Sequence, residues 1–153
     1  MATTSSERGL TLRSPGRFAA TTDRLLDLYQ RQHDAGVPLV ERRRDDVIQA
    51  WMDAEAYRLY TLADVTDIVE GRSPGARSSL NKLWWSEMDV RIHQTALELL
   101  GSEAELVDEA PAAIDGGSWM KGYQFSLSGP IYAGTNEIQR NIVAERVLGL
   151  PRK

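Results

Sequence analysis

The chain has no cysteine and only two histidines, His33 and His93. Disulfides, zinc–thiolate sites and cysteine nucleophiles are therefore excluded. The two imidazoles stand far apart in sequence and neither has an HxxxH partner, so neither a zinc site nor a Ser-His-Asp triad has its components. Carboxylates remain for acid–base work, with 22 Asp and Glu against 18 Lys and Arg. Glu87 and Asp89 are close in sequence, but two residues apart on a helix they face different ways and do not form a catalytic pair. Arg42, Arg43 and Arg44 form a cluster. A guanidinium suits a phosphate because it binds bidentately, and such a run is equally an exposed helix face. Trp84 and Trp85 suit core and interface packing, or stacking on a planar ligand. Thr135, Asn136 and Gln139 stand where a last helix should begin. They can cap it, and its first N–H groups can anchor a polar or anionic group.

These residues need helices to position them. From residue 17 to 34 the apolar positions Phe18, Leu25, Leu28 and Tyr29 share one face at helical spacing. Ser14 stands at the cap position, with Pro15 at the first helical position. Gly36 and Pro38 then break the pattern. A second helix is expected over residues 39–70, with Val47, Ile48, Trp51, Met52, Leu59, Leu62, Val65 and Val69 on a two-sided stripe that Arg58 interrupts. Such a stripe contacts more than one neighbour. A third helix is expected over residues 78–100. It carries Leu80, Leu83, Trp84, Met88, Ile92, Ala96, Leu99 and Leu100, with Gly101 in the left-handed position after its end. Residues 102–117, rich in Asp, Glu and Gly, read as a mobile acidic loop. A short apolar segment, 119–127, follows. The last helix begins near Asn136, where Asn136 and Gln139 have capping-box spacing, and Ile138, Ile142, Val143, Val147 and Leu148 are expected to face the core. Gly149 and Pro151 stop it. Long amphipathic helices with short links predict an all-α, up-down four-helix bundle.

The 153 residues make about one domain, 42% hydrophobic and 26% charged, which is ordinary globular composition. The net charge of -4 disfavours nucleic acid as a partner. No apolar run is long enough for a membrane span, and residues 1–8 have no signal core, so the expected location is the cytoplasm.

The C-terminal segment is far more specific than periodicity. Residues 131–152 contain Gly134-Thr135-Asn136-Glu137-Ile138-Gln139-Arg140 and Leu148-Gly149-Leu150-Pro151-Arg152. This segment resembles the closing signature of acyl-CoA dehydrogenases. Lys82-Leu83-Trp84-Trp85-Ser86-Glu87 and Ala96-Leu97-Glu98-Leu99-Leu100-Gly101 resemble the family's corresponding helix. The resemblance covers the whole chain as that family's C-terminal helical domain. The family's upstream helical and middle β domains are not in this sequence.

The resemblance implies FAD, an acyl-CoA substrate and an electron-transfer acceptor. A carboxylate removes the α-proton of the thioester while the flavin takes hydride from the β-carbon. In the family the base commonly follows the tyrosine of a Tyr-Glu-Gly-Thr motif, but here that position is Ala133. Some members carry the base instead in a Glu-Arg pair near the start of the domain, with a small residue in the usual place. Glu7-Arg8 fits that pattern, which makes Glu7 the candidate base and Arg8 its companion toward substrate. The alternatives are that Glu7 is a solvated terminal acid and that the chain carries no base.

By the same resemblance Thr135 and Glu137 lie near FAD, while Tyr132, Ala133 and Gly134 line the acyl site. The family's arginine for the FAD pyrophosphate, in an Arg-x-x-Phe-Gly segment, is displaced here. Arg31 is its candidate, with the Arg42–Arg44 cluster as substitute. The expected activity is oxidation of an acyl-CoA to the 2,3-enoyl-CoA. Alternatives are a non-catalytic subunit of a heteromeric dehydrogenase, a flavin monooxygenase on the same fold, and a helical module without chemistry. The isolated chain is expected to be inactive, and to self-associate or join a related subunit as a dimer or tetramer, with Trp51, Trp84 and Trp85 as excess aromatic surface.

Overall fold

The computed structural model describes residues 13–38, 40–107 and 110–152. Among them are five α-helices and no strand: α1 (Pro15–Asp34), α2 (Arg44–Val69), α3 (Ser78–Leu100), α4 (Ser118–Ser126) and α5 (Asn136–Ile142). The fold is all-helical, as the sequence predicts. The fourth helix position of the bundle is shared by two short helices, because the apolar segment after the acidic stretch forms α4.

α1 starts with Pro15 in its first turn, and Arg17 N–H bonds the Ser14 carbonyl at 3.2 Å, although the Ser14 side chain makes no cap bond. Its buried face is Phe18, Thr22, Leu25, Leu28 and Gln32. Phe18 meets Tyr57 edge-on at 5.3 Å, so the start of α1 lies beside the second half of α2. Arg43 pairs with Glu98, and Arg91 with Asp53, which sets α2 antiparallel to α3. α3 packs on α1, α2, α4 and α5 and is the centre of the domain.

Several expectations change. The second helix does not begin at residue 39: a 3-10 turn, Val40–Arg43, precedes α2. Its buried face is Val47, Ala50, Ala54, Tyr57, Thr61 and Asp64, while Ile48, Trp51, Met52, Leu59, Leu62, Val65 and Val69 are exposed. The small residues let α2 sit close to its neighbours, and the large ones point away.

α3 has the expected limits, and Gly101 after it has φ 57 and ψ −128. That positive φ is open to glycine but lies outside the left-handed helical region. The first half of α3 buries polar residues, Ser79, Asn81, Lys82, Ser86 and Asp89, and leaves Leu80, Leu83 and Trp84 half-buried. Trp85 is only 2% exposed and adds nothing to the surface.

Residues 102–107 and 110–117 are docked rather than free. Two 3-10 turns, Gly101–Glu105 and Ile114–Gly117, shape them, Ala104 is buried and Ile114 packs on the core. On α5 the sides are reversed: Asn136 and Gln139 are buried, while Ile138 is 48% and Leu148 66% exposed. The polar stretch of α3 is what α5 docks against, so its own polar residues turn inward. A π-helical turn, Val143–Val147, continues it.

Candidate active site

The turn that carries Tyr132, Ala133 and Gly134 sits between α4 and α5, against α3 and the start of α1. Ala133 and Gly134 both have positive φ, 55 and 86. That conformation is strained for alanine, at about 1 kcal/mol, and natural for glycine. A Cβ on Gly134 would lie 2.8 Å from Gln139 Nε2, and that same amide donates to the Ala133 carbonyl at 3.0 Å. Gln139 therefore holds the turn closed from below. Asn136 N–H fixes its other side by bonding the Pro130 carbonyl at 2.9 Å.

Tyr132 packs on Trp85 at 5.8 Å. Arg13 lies over both rings, 5.1 Å from Trp85 and 5.5 Å from Tyr132, and its Nη2 donates to the Tyr132 hydroxyl. The Arg13 carbonyl accepts from Tyr57 O–H at 2.8 Å, which secures the segment entering α1 against α2. Trp85 Nε1 is buried and has no acceptor among the described residues.

Beneath the turn lies a buried polar network. Asn136 Oδ1 accepts from Lys82 Nζ at 2.5 Å and from Ser86 Oγ at 3.1 Å, and its Nδ2 donates to Glu87 Oε1 at 3.1 Å. Arg140 also pairs with Glu87. Lys82 is 1% exposed, and burial pulls its pKa down against the attraction of Glu137 and Glu87. Asp89 is buried, 3.1 Å from Arg17 and 3.3 Å from His93 Nδ1, which itself bonds the Asp89 carbonyl at 2.8 Å.

Thr135 is the cap of α5: its Oγ1 accepts from Ile138 N–H at 3.4 Å. Asn136 is thus the first helical residue and not a capping-box residue, because its side chain is committed to Lys82 and Ser86. Glu137 is exposed beside the cap. Its own backbone N–H, then the Thr135 hydroxyl, hold its pKa below the usual carboxylate value.

Arg31 lies elsewhere. Its guanidinium bonds both carboxylate oxygens of Asp115 at 3.0 Å and Asp27 at 2.9 Å. Asp115 has φ 52 and also accepts from Trp119 Nε1 at 2.8 Å. Burial raises the Asp115 pKa, but the bonds from Trp119 and Arg31 outweigh it and the net shift is downward. Such a group adds stability above its unfolded value, lost as pH falls through the depressed folded one. Asp115→Ala is expected to cost about 2 kcal/mol and to speed amide exchange across residues 102–117. Unchanged exchange there would contradict this pin.

Glu7 and Arg8 lie outside the described residues. The side chains that periodicity does not single out are Arg13, Arg17, Lys82 and Asp115. Lys82 could have been found: it shares the i, i+3, i+4, i+7 spacing of Trp85, Ser86 and Asp89. Among the described residues no cluster of His, Asp or Glu is arranged to hold a metal, and no helix is long and apolar enough to cross a membrane.

The chain belongs to the acyl-CoA dehydrogenase family: the family's C-terminal domain profile matches residues 1–148. Among curated relatives it is similar to the acyl-CoA dehydrogenase IpdE1 of Mycolicibacterium smegmatis, 34% identical over the whole chain and 36% of that protein. IpdE1 of Mycobacterium tuberculosis is also 34% identical, over 38% of its length. The chain thus spans little more than a third of these relatives. The solved ChsE4-ChsE5 complex from Mycobacterium tuberculosis is 28% identical with a TM-score of 0.76, covering 94% of this chain and 37% of that one. The Tcur3481-Tcur3483 steroid ACAD, at 24% identity and TM-score 0.73 over 89% of this chain and 36% of that one, shares the fold.

Proposed function

We propose that the chain is the C-terminal domain of an FAD-dependent acyl-CoA dehydrogenase that oxidises an acyl-CoA thioester to the 2,3-enoyl-CoA, with Glu7 as the α-proton base. One observation carries the reading. Arg13 is seated on Tyr132 and Trp85, so the chain that follows Glu7 and Arg8 passes at the Tyr132–Ala133 turn. The six peptide steps from Glu7 to Arg13 span at most about 20 Å, which allows the Glu7 carboxylate to reach the turn. The Ala133 methyl accepts no proton and leaves room for that carboxylate. Arg8 neighbours the base, and Tyr132, Ala133 and Gly134 wall the acyl chain.

FAD, when bound, supplies the acceptor for the β-hydride. The oxygens that Thr135 and Glu137 offer beside the turn suit its hydroxyl-bearing part. Arg31 suits its phosphates less well, because two carboxylates already occupy it. It reaches a phosphate only by releasing Asp115.

A second reading has one observation in its favour. The ChsE4-ChsE5 neighbour is named as a complex of two proteins. A chain with Ala133 in the motif would fit the half that lends structure while a related subunit supplies the base.

The test uses this chain joined to, or assembled with, the remainder of a relative-length enzyme. Acyl-CoA added anaerobically should bleach the flavin absorbance without NAD(P)H, and the 153-residue chain alone should show no turnover. A requirement for NAD(P)H or a reductase, with oxygen consumed, would contradict the dehydrogenase reading. A flavin-free preparation that works only with a Glu-bearing second subunit would replace the first reading with the second.

A further inference from the structure

Arg13 and Tyr132 meet at the turn, both half-buried, and their hydrogen bonding is incomplete. A guanidinium carries several N–H donors. Arg13 Nη2 donates to the Tyr132 hydroxyl, and its other donors have no acceptor among the described residues. The hydroxyl accepts from Arg13, so its own hydrogen is free to donate, and no described residue receives it. The guanidinium also lacks a counter-charge among the described residues. The other half-buried arginines, Arg43 and Arg58, each hold a carboxylate. Around the turn the described carboxylates are taken: Asp89 by Arg17, and Glu87 and Glu137 by Arg140. Arg13 is nevertheless held in place. It lies over the Trp85 and Tyr132 rings, and its carbonyl is fixed by Tyr57. Partly desolvated donors left open in this way favour an acceptor that arrives with a ligand.

We propose that Arg13 and Tyr132 form a specificity site for an acceptor oxygen, of a ketone or a carboxylate, carried on the acyl group of the substrate. The inference rests on the reading of Tyr132 as a wall of the acyl site and narrows the substrate class to oxygenated acyl-CoAs. Tyr132 O–H donates one bond to that oxygen. Arg13 donates a second, which is charge-assisted and about twice as strong as a neutral one. A carboxylate is also gripped bidentately by the guanidinium, whereas a ketone takes single bonds. A plain alkyl chain that covers the two donors strips their water and gives nothing back. A site built to bond a substrate oxygen rejects the analogue lacking it more strongly than an apolar pocket rejects a missing methylene.

The flavin-loaded, relative-length enzyme is tested with hexanoyl-, octanoyl- and decanoyl-CoA beside their penultimate-ketone and ω-carboxyl counterparts. At one or more chain lengths an oxygenated acyl-CoA should have a kcat/KM at least about tenfold above its alkyl counterpart. A preference for the ketones alone or for the carboxylates alone upholds the site and tells which oxygen it takes. Arg13→Met keeps the length of the side chain and removes its donors, and it should bring the ratio close to one, through KM rather than kcat. Arg13→Lys keeps the charge and should retain more of the ratio than Arg13→Met. Tyr132→Phe removes only the neutral donor and should lower the ratio severalfold. Circular dichroism shows that each variant is folded.

The thioester carbonyl is common to every probe, so an Arg13 that served it, or served only the fold, would show no such preference. Equal kcat/KM for alkyl and oxygenated chains at every length, or an equal loss for all of them in Arg13→Met, overturns the specificity site and leaves the dehydrogenase reading standing. If no acyl-CoA reduces the flavin, the dehydrogenase reading falls, and calorimetric titration with the same acyl-CoAs decides the inference. Tighter binding of the oxygenated chains, lost in Arg13→Met, then upholds it, and equal binding overturns it.

Discussion

Replacing Asn136 by alanine is expected to lower the stability of the domain by about 3 kcal/mol. The Asn136 side chain accepts from Lys82 and Ser86 and donates to Glu87, joining α5 to the centre of α3. Lys82 is 1% exposed. Without Asn136 its ammonium loses the acceptor it has among the described residues and keeps only the attraction of Glu137 and Glu87, and a buried charge left without a hydrogen bond costs more than the lost bond itself. Thermal unfolding followed by circular dichroism should show a midpoint about 10 °C lower. The Asn136→Leu, Lys82→Met pair removes the charge and its acceptor together and should recover most of that loss.

The defect should also depend on pH. Burial lowers the Lys82 pKa. Between that folded value and the ordinary lysine value the unfolded chain binds more protons, so stability rises with pH there. Losing the acceptor lowers the folded value further, so the Asn136→Ala deficit should shrink as the solution becomes alkaline. A midpoint within 1–2 °C of the wild type, corresponding to well under 1 kcal/mol, would mean that the network does not hold α5.

The residues that could be read in sequence are those whose role is local. Phe18, Leu25 and Leu28 form a single apolar stripe on one side of α1, and they are buried. The limits of α3 follow from turn residues at both ends. Ala133 is legible because it departs from a motif.

The remainder depends on which surfaces meet. On α2 both sides are apolar, and periodicity does not say that the small residues Ala50 and Ala54 face inward and Trp51 outward. On α5 the inward side is Asn136 and Gln139, because the surface that receives it is the polar half of α3. Nor could sequence show that the acidic segment is tied down. Asp115 is held by Arg31 from the far end of α1, and a long-range pair leaves no periodic trace. Arg13 leaves no periodic trace for the same reason: its significance is its seat on Tyr132.

The catalytic assignment reduces to one side chain. A positioned general base contributes about 10²–10⁴ in rate, and Ala133 cannot act as one. The described carboxylates around the turn have other duties: Asp89 is held by Arg17, Glu87 by Arg140 and Asn136, and Glu137 by the head of α5. Glu7→Gln keeps the size of the side chain and removes its basicity. In the flavin-loaded, relative-length enzyme, anaerobic mixing with acyl-CoA should therefore show flavin reduction slowed about 10²-fold or more, with the oxidised flavin spectrum and acyl-CoA affinity unchanged. Reduction at the wild-type rate in Glu7→Gln would contradict the assignment and move the base to another subunit.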